Sequence, residues 1–281
     1  MIALIDADLI AYEAASAADM VLKDGRERRS FDYCINYVDA LIEFILENSM
    51  CDEYELFITG KENFRHDIAT VKPYKYNRNA KPKPYYLPVV RKLLESYGAV
   101  VCDYMEADDM LAVRAKELGG DNVCICSRDK DLRMVPCWQY SWEVGLQPEW
   151  GPQLVDKIGS LEFRFSDKIL KNGEKSNAIK KVSGTGLKWF YAQLITGDST
   201  DNIPGLEGKG GGLVHQIVEP CTTEEELFRA VSTAYQDKYG DTHLERLLEQ
   251  GRLLWMHDTL DEEGRVILWE LPFEPLQETD G

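Results

Sequence analysis

Short apolar runs rich in β-branched residues recur at regular intervals through the first half of the chain: IALID (2–6), YELFIT (54–59), AVVCD (99–103), NVCICS (122–127) and CWQYSW (137–142). Between them lie stretches with apolar residues at helical spacing, at about 32–48, 84–97 and 106–118. The stretch EADDMLAVRAKELGG ends in a glycine pair that fits a helix C-cap. Strands that alternate with helices, and that are apolar throughout, predict an α/β fold with a largely parallel central sheet flanked by helices. In such sheets binding sites form beyond the carboxyl ends of the strands.

Carboxylates gather at those ends, in four clusters. Asp6 and Asp8 follow the first strand, and period two would point both to one side. Glu106, Asp108 and Asp109 open a helix, where the dipole favours anions. Asp129 and Asp131 follow the fourth strand, and Asp198 and Asp201 lie in LITGDSTDNIPG, three apart and on one side of a helical turn. Two like charges 4 Å apart repel by about 4 kcal/mol at an intermediate dielectric. Convergence of these acids makes sense if cations neutralise them, and hard divalent ions such as Mg²⁺ or Mn²⁺ suit an all-oxygen shell.

The net charge of −17 argues against a nucleic-acid partner until its distribution is considered. Residues 61–92 carry nine Lys/Arg against two acids, and residues 157–188 carry eight against three. Residues 219–281 carry five against sixteen. Two basic segments on an acidic body predict a localised polyanion contact. The first, KENFRHDIATVKPYKYNRNAKPK, interleaves cations with Phe64, Tyr74 and Tyr76; Tyr85 and Tyr86 follow. Such rings can stack on unpaired bases. Seven cysteines without a CxxC pair argue against a disulfide framework or zinc site, with Cys124 and Cys126 in the core. No run is long enough to cross a bilayer, and MIALIDADLI is too short and acidic for a signal peptide, so a cytoplasmic protein is expected.

The second half reads differently. Residues 156–182 are irregular and Lys-rich, and from about 185 the pattern turns helical, with a strand-like RVILWEL near the end. A boundary is expected near 145–155. In LITGDSTDNIPGLEGKGGG the acid pair is followed by a tight turn and a glycine-rich loop that opens a helix. Exposed backbone N–H groups there can hold a phosphate, gripping duplex backbone with little sequence reading.

Taken together, IDAD, YMEADDMLA, CSRDKDL and LITGDSTDNIPGLEGKG resemble the flap endonuclease/5′→3′ exonuclease family, most closely its phage exonucleases, and FITGKENFRHDI followed by YKYNRNAKPKP extends the likeness. The resemblance runs from residue 1 to about 220. It implies a PIN-like 5′-nuclease core over 1–150 with a basic arch at about 61–92. It implies a mainly helical DNA-binding region over 151–281, with a helix–three-turn–helix motif at about 185–220. It further implies a two-metal-ion hydrolase giving 5′-phosphate products from DNA with 5′ ends, nicks or flaps, and also from RNA–DNA hybrids. A monomer is expected. Glu106, Asp108 and Asp109 would serve one ion and Asp129 and Asp131 the other, supported by Asp198 and Asp201, with Asp6 close by. Lys75 and Arg78 would contact the scissile phosphate. Arg65, Lys72, Tyr74, Lys81 and Lys83 would line the DNA path. Gly208, Lys209 and Gly210 would bind duplex backbone, with K⁺ expected at that loop.

The chain departs from the family pattern once. An Asp usual at the end of the second central strand is replaced here by Gly60, and Glu62, Asp67 or water is expected to fill the gap. Two other readings compete: a PIN-like ribonuclease, which leaves the glycine-rich loop unexplained, and a structure-specific DNA-binding protein with little catalysis. A HAD-type phosphotransferase also opens with DxD after a strand but has no place for GDSTDNIPG.

Overall fold

The computed structural model describes residues 1–19, 27–76, 82–169 and 174–274. Strand β1 (Ile2–Asp6) leads directly into α1 (Ala7–Asp19). Then follow α2 (Phe31–Ser49), β2 (Glu53–Asn63), the single turn α3 (Arg65–Ile68), α4 (Leu87–Ser96), β3 (Val100–Tyr104), α5 (Ala107–Leu118), β4 (Val123–Cys126) and β5 (Trp138–Ser141). The rest comprises β6 (Trp150–Leu154), β7 (Leu161–Phe165), β8 (Ile179–Gly184), α6 (Gly186–Thr196), α7 (Gly211–Ile217), α8 (Glu224–Tyr239) and α9 (His243–Leu254). The main sheet runs β3-β2-β1-β4-β5-β6, parallel except for β6. β7 and β8 form a separate antiparallel pair.

The expected strands and helices lie within a few residues of these bounds, and the largely parallel sheet flanked by helices is present. α1, β6 and the β7–β8 hairpin were not anticipated. Strand β6 carries the sheet into the expected boundary zone, and β7–β8 orders part of a stretch that reads as irregular. Near the end, RVILWEL supplies only an isolated bridge, Leu260 with Val266, and no strand.

Period-two alternation divides the apolar residues between two faces. Ala3, Ile5, Leu56, Ile58, Cys124 and Cys126 pack on one side with α1, α2 and α4. Leu4, Phe57, Val123 and Ile125 pack on the other with α5 and the C-terminal helices. The helices after residue 185 thus share a core with the sheet, so the acids of the Gly197–Ile203 turn are brought against those at the strand ends. All seven cysteines are buried and free. Among the described residues no helix is long and apolar enough to cross a membrane.

One buried ion pair ties these layers together. Arg65, expected in the DNA path, is 1% exposed. Its guanidinium donates to both oxygens of Asp109 at 2.6 and 2.7 Å, to the Leu253 carbonyl at 3.1 Å and to the Trp255 carbonyl at 2.9 Å. It therefore fastens α3 and α5 to the end of α9. Removing one member of such a pair leaves the other charge buried, at a cost of about 3–5 kcal/mol. Arg65→Ala is expected to lower the urea-unfolding free energy by about that amount; a loss below about 1 kcal/mol would assign the pair no anchoring role.

Candidate metal centre and nucleic-acid interface

Beyond the carboxyl ends of the parallel strands lies a cavity of about 850 Å³. Its walls include Asp6, Asp8, Glu106, Asp108, Asp129, Asp131, Asp198 and Asp201, so all four acid clusters of the sequence meet there. The local geometry differs from a simple extended pairing. Asp6 ends β1, but Asp8 sits in the first turn of α1. Asp131 begins a short 3₁₀ turn, Asp131–Met134, and its backbone N–H donates to Asp129 at 2.9 Å. Asp198 and Asp201 lie in a tight turn beyond α6, closed by paired backbone bonds between Asp198 and Ile203.

Charge balance separates these acids into two groups. In the first, Asp6 accepts from the Ser127 hydroxyl at 3.0 Å and the Leu9 N–H at 3.4 Å. Burial, then the charge of Asp8, push its pKa up to about 7 despite the Ser127 bond. Asp108 is raised well above the usual range by burial and by Asp6, Asp129 and Glu106. Asp129 is raised chiefly by burial. These three lack a direct cationic partner among the described residues.

In the second group, protein cations stand in. Burial opposes ionisation of Glu106, but Arg65 and Lys75 outweigh it and hold the carboxyl at about 2. Glu106 accepts from Lys75 Nζ and, at 2.8 Å, from the Tyr74 hydroxyl. Lys75 Nζ also lies 3.7 Å from Asp201. Lys130 bridges Asp131 at 2.9 Å and Asp198 at 2.7 Å. Burial raises Asp198, but the Lys130 contacts more than compensate and its pKa is lowered. Asp131 is still pushed up to about 7, by burial and then by Asp129.

Lys75 reaches the site because its segment is stapled to the acid turn. Its N–H donates to the Asp201 carbonyl at 2.9 Å, and Asn202 Nδ2 donates to the Pro73 carbonyl at 2.8 Å. Lys75 itself takes a left-handed backbone, φ +55°. That conformation is unfavourable for a residue with a Cβ and persists where surrounding contacts fix it.

Several expectations need correction. Asp109 is not a candidate ligand: it is wholly buried, its oxygens are bound by Arg65 and by the N–H groups of Glu106 and His257, and it does not line the cavity. Arg65 is likewise buried and cannot reach DNA. Tyr74 is 5% exposed, so it does not stack on a base; its single hydroxyl proton is shared between Glu106 at 2.8 Å and Asp201 at 2.9 Å. Lys83 lines the cavity, while Lys72 is exposed near Glu207. Arg78 and Lys81 lie outside the described residues. The Gly208–Gly210 loop is at the surface; Lys209 is exposed and Gly210 caps α7.

A Cβ at Gly60 would collide with Asp103 Oδ1 and stand 2.7 Å from the Cys102 carbonyl oxygen. The acid beside this position is therefore Asp103, which lines the cavity; Glu62 and Asp67 do not.

Residues missed by the sequence reading complete the walls. Arg91 on α4 binds Asp8 and the Thr59 carbonyl. The Thr59 N–H donates to Asp8 at 2.8 Å, and its hydroxyl accepts from Ala107 N–H at 3.0 Å. Lys130 was detectable as the residue between two selected acids. Arg91 carried no local signal, because only the fold brings α4 to α1 and to β2.

The donors fit hard divalent ions: all are oxygens, and the Asp6–Asp108–Asp129 group carries unbalanced charge. Among the described residues, however, no three acidic, imidazole or thiol groups already stand at metal-ligand spacing. The fit is therefore one of donor chemistry and charge.

The chain is 25% identical over 254 residues to DNA polymerase I of Bacillus subtilis (strain 168), covering 88% of this chain but 26% of the polymerase. It is 26% identical over 162 residues to a 5′-3′ exonuclease of Aquifex aeolicus, covering 56% and 48%. The chain thus spans about a quarter of the polymerase and about half of the exonuclease. Among solved structures, the T5 D15 protein co-crystallised with metal ions shares the fold, at a TM-score of 0.50 and 13% identity, covering 91% of this chain and 89% of that one.

Acids with folded-state values near 7 bind protons more tightly folded than unfolded, where the ordinary value is 3.8. Their stabilising contribution is full below about pH 4 and is lost as pH rises through about 7. In EDTA the melting temperature is expected to fall from about pH 5 to pH 8, and Mg²⁺ or Mn²⁺ to raise it more at the higher pH. Calorimetry showing a metal effect that is equal at both values, or absent, would contradict this charge balance.

Residues 1–137, just under half of the chain, match the family model for the 5′-3′ exonuclease N-terminal, resolvase-like domain, and that stretch carries three of the four acid clusters in the order and place described.

Proposed function

We propose that the protein is a metal-dependent 5′ nuclease, a 5′→3′ exonuclease and flap endonuclease that hydrolyses DNA phosphodiester bonds at 5′ ends, nicks or flaps and leaves 5′-phosphates. RNA in RNA–DNA hybrids is a further substrate on this reading. The observation that carries it is the meeting of all four acid clusters in one cavity, at the carboxyl ends of parallel strands, with Lys75 pinned among them.

On this reading Asp6, Glu106 and Asp108 hold one Mg²⁺ or Mn²⁺, and Asp129 and Asp131 hold another with Asp198 and Asp201 around it. Bound there, such ions supply Lewis acidity that activates water and neutralises charge on the phosphate. The protein supplies positioning and fixed charge. Thr59 ties Asp8 to the first turn of α5, so strand ends and acidic helix keep one geometry. Tyr74 bridges Glu106 and Asp201 and orients both. Lys75 Nζ, now on Glu106, is placed to pair with a phosphate oxygen as negative charge builds, the electrostatic contribution that usually dominates. Lys130, now paired with Asp131 and Asp198, would yield those carboxylates to a cation held there. The exposed Gly208–Gly210 loop grips duplex backbone, with K⁺ among its partners.

The direct test is a gel assay on 5′- and 3′-labelled duplex, nicked and flapped DNA with EDTA, Mg²⁺ or Mn²⁺. Metal-dependent release of short products from the 5′ end is expected. DNA binding with no cleavage in any metal would instead leave a structure-specific binding protein. Asp129→Ala and Asp198→Ala are expected to cut the rate by about 10³-fold or more while leaving DNA binding largely intact; full activity in both variants would refute the two-ion site. Lys75→Ala is expected to slow single-turnover cleavage by about 10²- to 10³-fold with a smaller effect on binding. A pure binding loss would make Lys75 a positioning contact.

A further inference from the structure

The described residues of the second basic segment of the sequence, 157–188, do not line the acid cavity. It folds mainly as the β7–β8 hairpin, which carries exposed Arg164, Lys180 and Lys181. Strand β8 of the hairpin is held against α7: a Cβ at Gly211, the first residue of α7, would lie 2.6 Å from Ile179 Cγ2 and 2.9 Å from Val182 Cγ2. The hairpin therefore packs tightly against the helix that follows the glycine-rich loop.

Beside the hairpin lies Arg133, in the short turn that starts at Asp131. Its guanidinium carbon stands 4.0 Å from the centroid of the Trp150 ring. Its Nε is buried without a hydrogen-bond partner. Glu162 and Asp129 are near enough to influence it electrostatically, but neither forms an ion pair with it among the described residues. Two cavities meet at the Arg133–Trp150 pair. One, of about 500 Å³, reaches Lys181 and Ser183 on one side and Asp129, Asp131, Asp198 and Asp201 on the other. The second, of about 210 Å³, extends along β6 to Ser160, Ser183 and Thr185 at the hairpin base.

The other cations of the larger cavity are engaged. Arg128 pairs with Glu13 at 3.1 Å, and Lys130 with Asp131 and Asp198. Arg133 and Lys181 have no ion pair among the described residues. An aromatic-backed guanidinium with spare donors, a nearby exposed ammonium and hydroxyls along the same groove match the oxygens of a phosphodiester. The groove opens from the wall of the acid cavity, so a strand held at the acids could continue into it.

We propose that Arg133, backed by Trp150, and Lys181 on β8 form a phosphate-binding site for the nucleic-acid backbone, leading the strand from the acid cavity along the β7–β8 hairpin. This inference rests on the nucleic-acid reading above.

The test is fluorescence anisotropy with a labelled duplex bearing a 5′ overhang, in EDTA, across a series of NaCl concentrations. Wild type is compared with Arg133→Ala and Lys181→Ala. Each variant is expected to bind about three- to tenfold more weakly at moderate salt, with a log–log salt slope smaller by about one. Lys181→Ala, at an exposed strand position, keeps the test decisive even if Arg133→Ala fails to fold. Unchanged affinity and slope in Lys181→Ala, or weakened binding with an unchanged slope, would overturn the proposal while leaving the nuclease reading intact. Wild type that binds no DNA would overturn both.

Discussion

Repulsion among carboxylates is the constraint on which this architecture depends. A parallel sheet directs the ends of β1, β3 and β4 to one side, and the chain places acids just beyond each. Desolvation raises the proton affinity of Asp6, Asp108 and Asp129, and the charge of Asp129 raises that of Asp6 and Asp108 further. Such a cluster costs folding free energy unless cations enter it. The structure meets half of that requirement internally, with Lys75 on Glu106 and Lys130 on Asp131 and Asp198. The other half has no protein cation among the described residues, and there divalent ions have most to stabilise.

The acids can be held this closely because the scaffold around them is itself cross-braced. Asp109 belongs to this bracing and not to the reactive surface. Its pair with Arg65 fixes the acidic helix to the end of α9, so α5 cannot recoil from the charge at its N-terminus. Arg91 and Thr59 perform the same service on the opposite wall, linking α4 and β2 to Asp8. The distinction between an acid that faces the cavity and its neighbour one residue later is set by the turn of α5: Asp108 points to the acids, Asp109 to the core.

Much of this was legible in the sequence. The alternation of strand and helix predicted the sheet, and acids at the ends of strands predicted a common site, since topology alone brings such ends together. Other features were not legible for physical reasons. Arg65 reads as a surface cation in a basic segment, but an arginine that makes four hydrogen bonds to a carboxylate and two carbonyls can be buried. Tyr74 reads as a base-stacking ring, but its hydroxyl is needed between two carboxylates. α1 hides behind Asp6-Ala7-Asp8, whose alternation imitates a continuing strand. β7–β8 interleaves charged with apolar residues, the pattern of a strand pair with exposed surfaces, which local reading takes for loop. Gly60 shows the limit of motif matching: the space an aspartate would need is filled by Asp103 from the neighbouring strand.

The central claim, that the buried acids repel until a divalent ion joins them, is tested most directly by Asp108→Asn. The substitution keeps the shape of the side chain and removes one charge. Thermal unfolding in EDTA at about pH 8 should show this variant more stable than wild type, and Mn²⁺ should stabilise it less than it stabilises wild type. A variant that is less stable in EDTA, yet gains as much from Mn²⁺, would contradict the account.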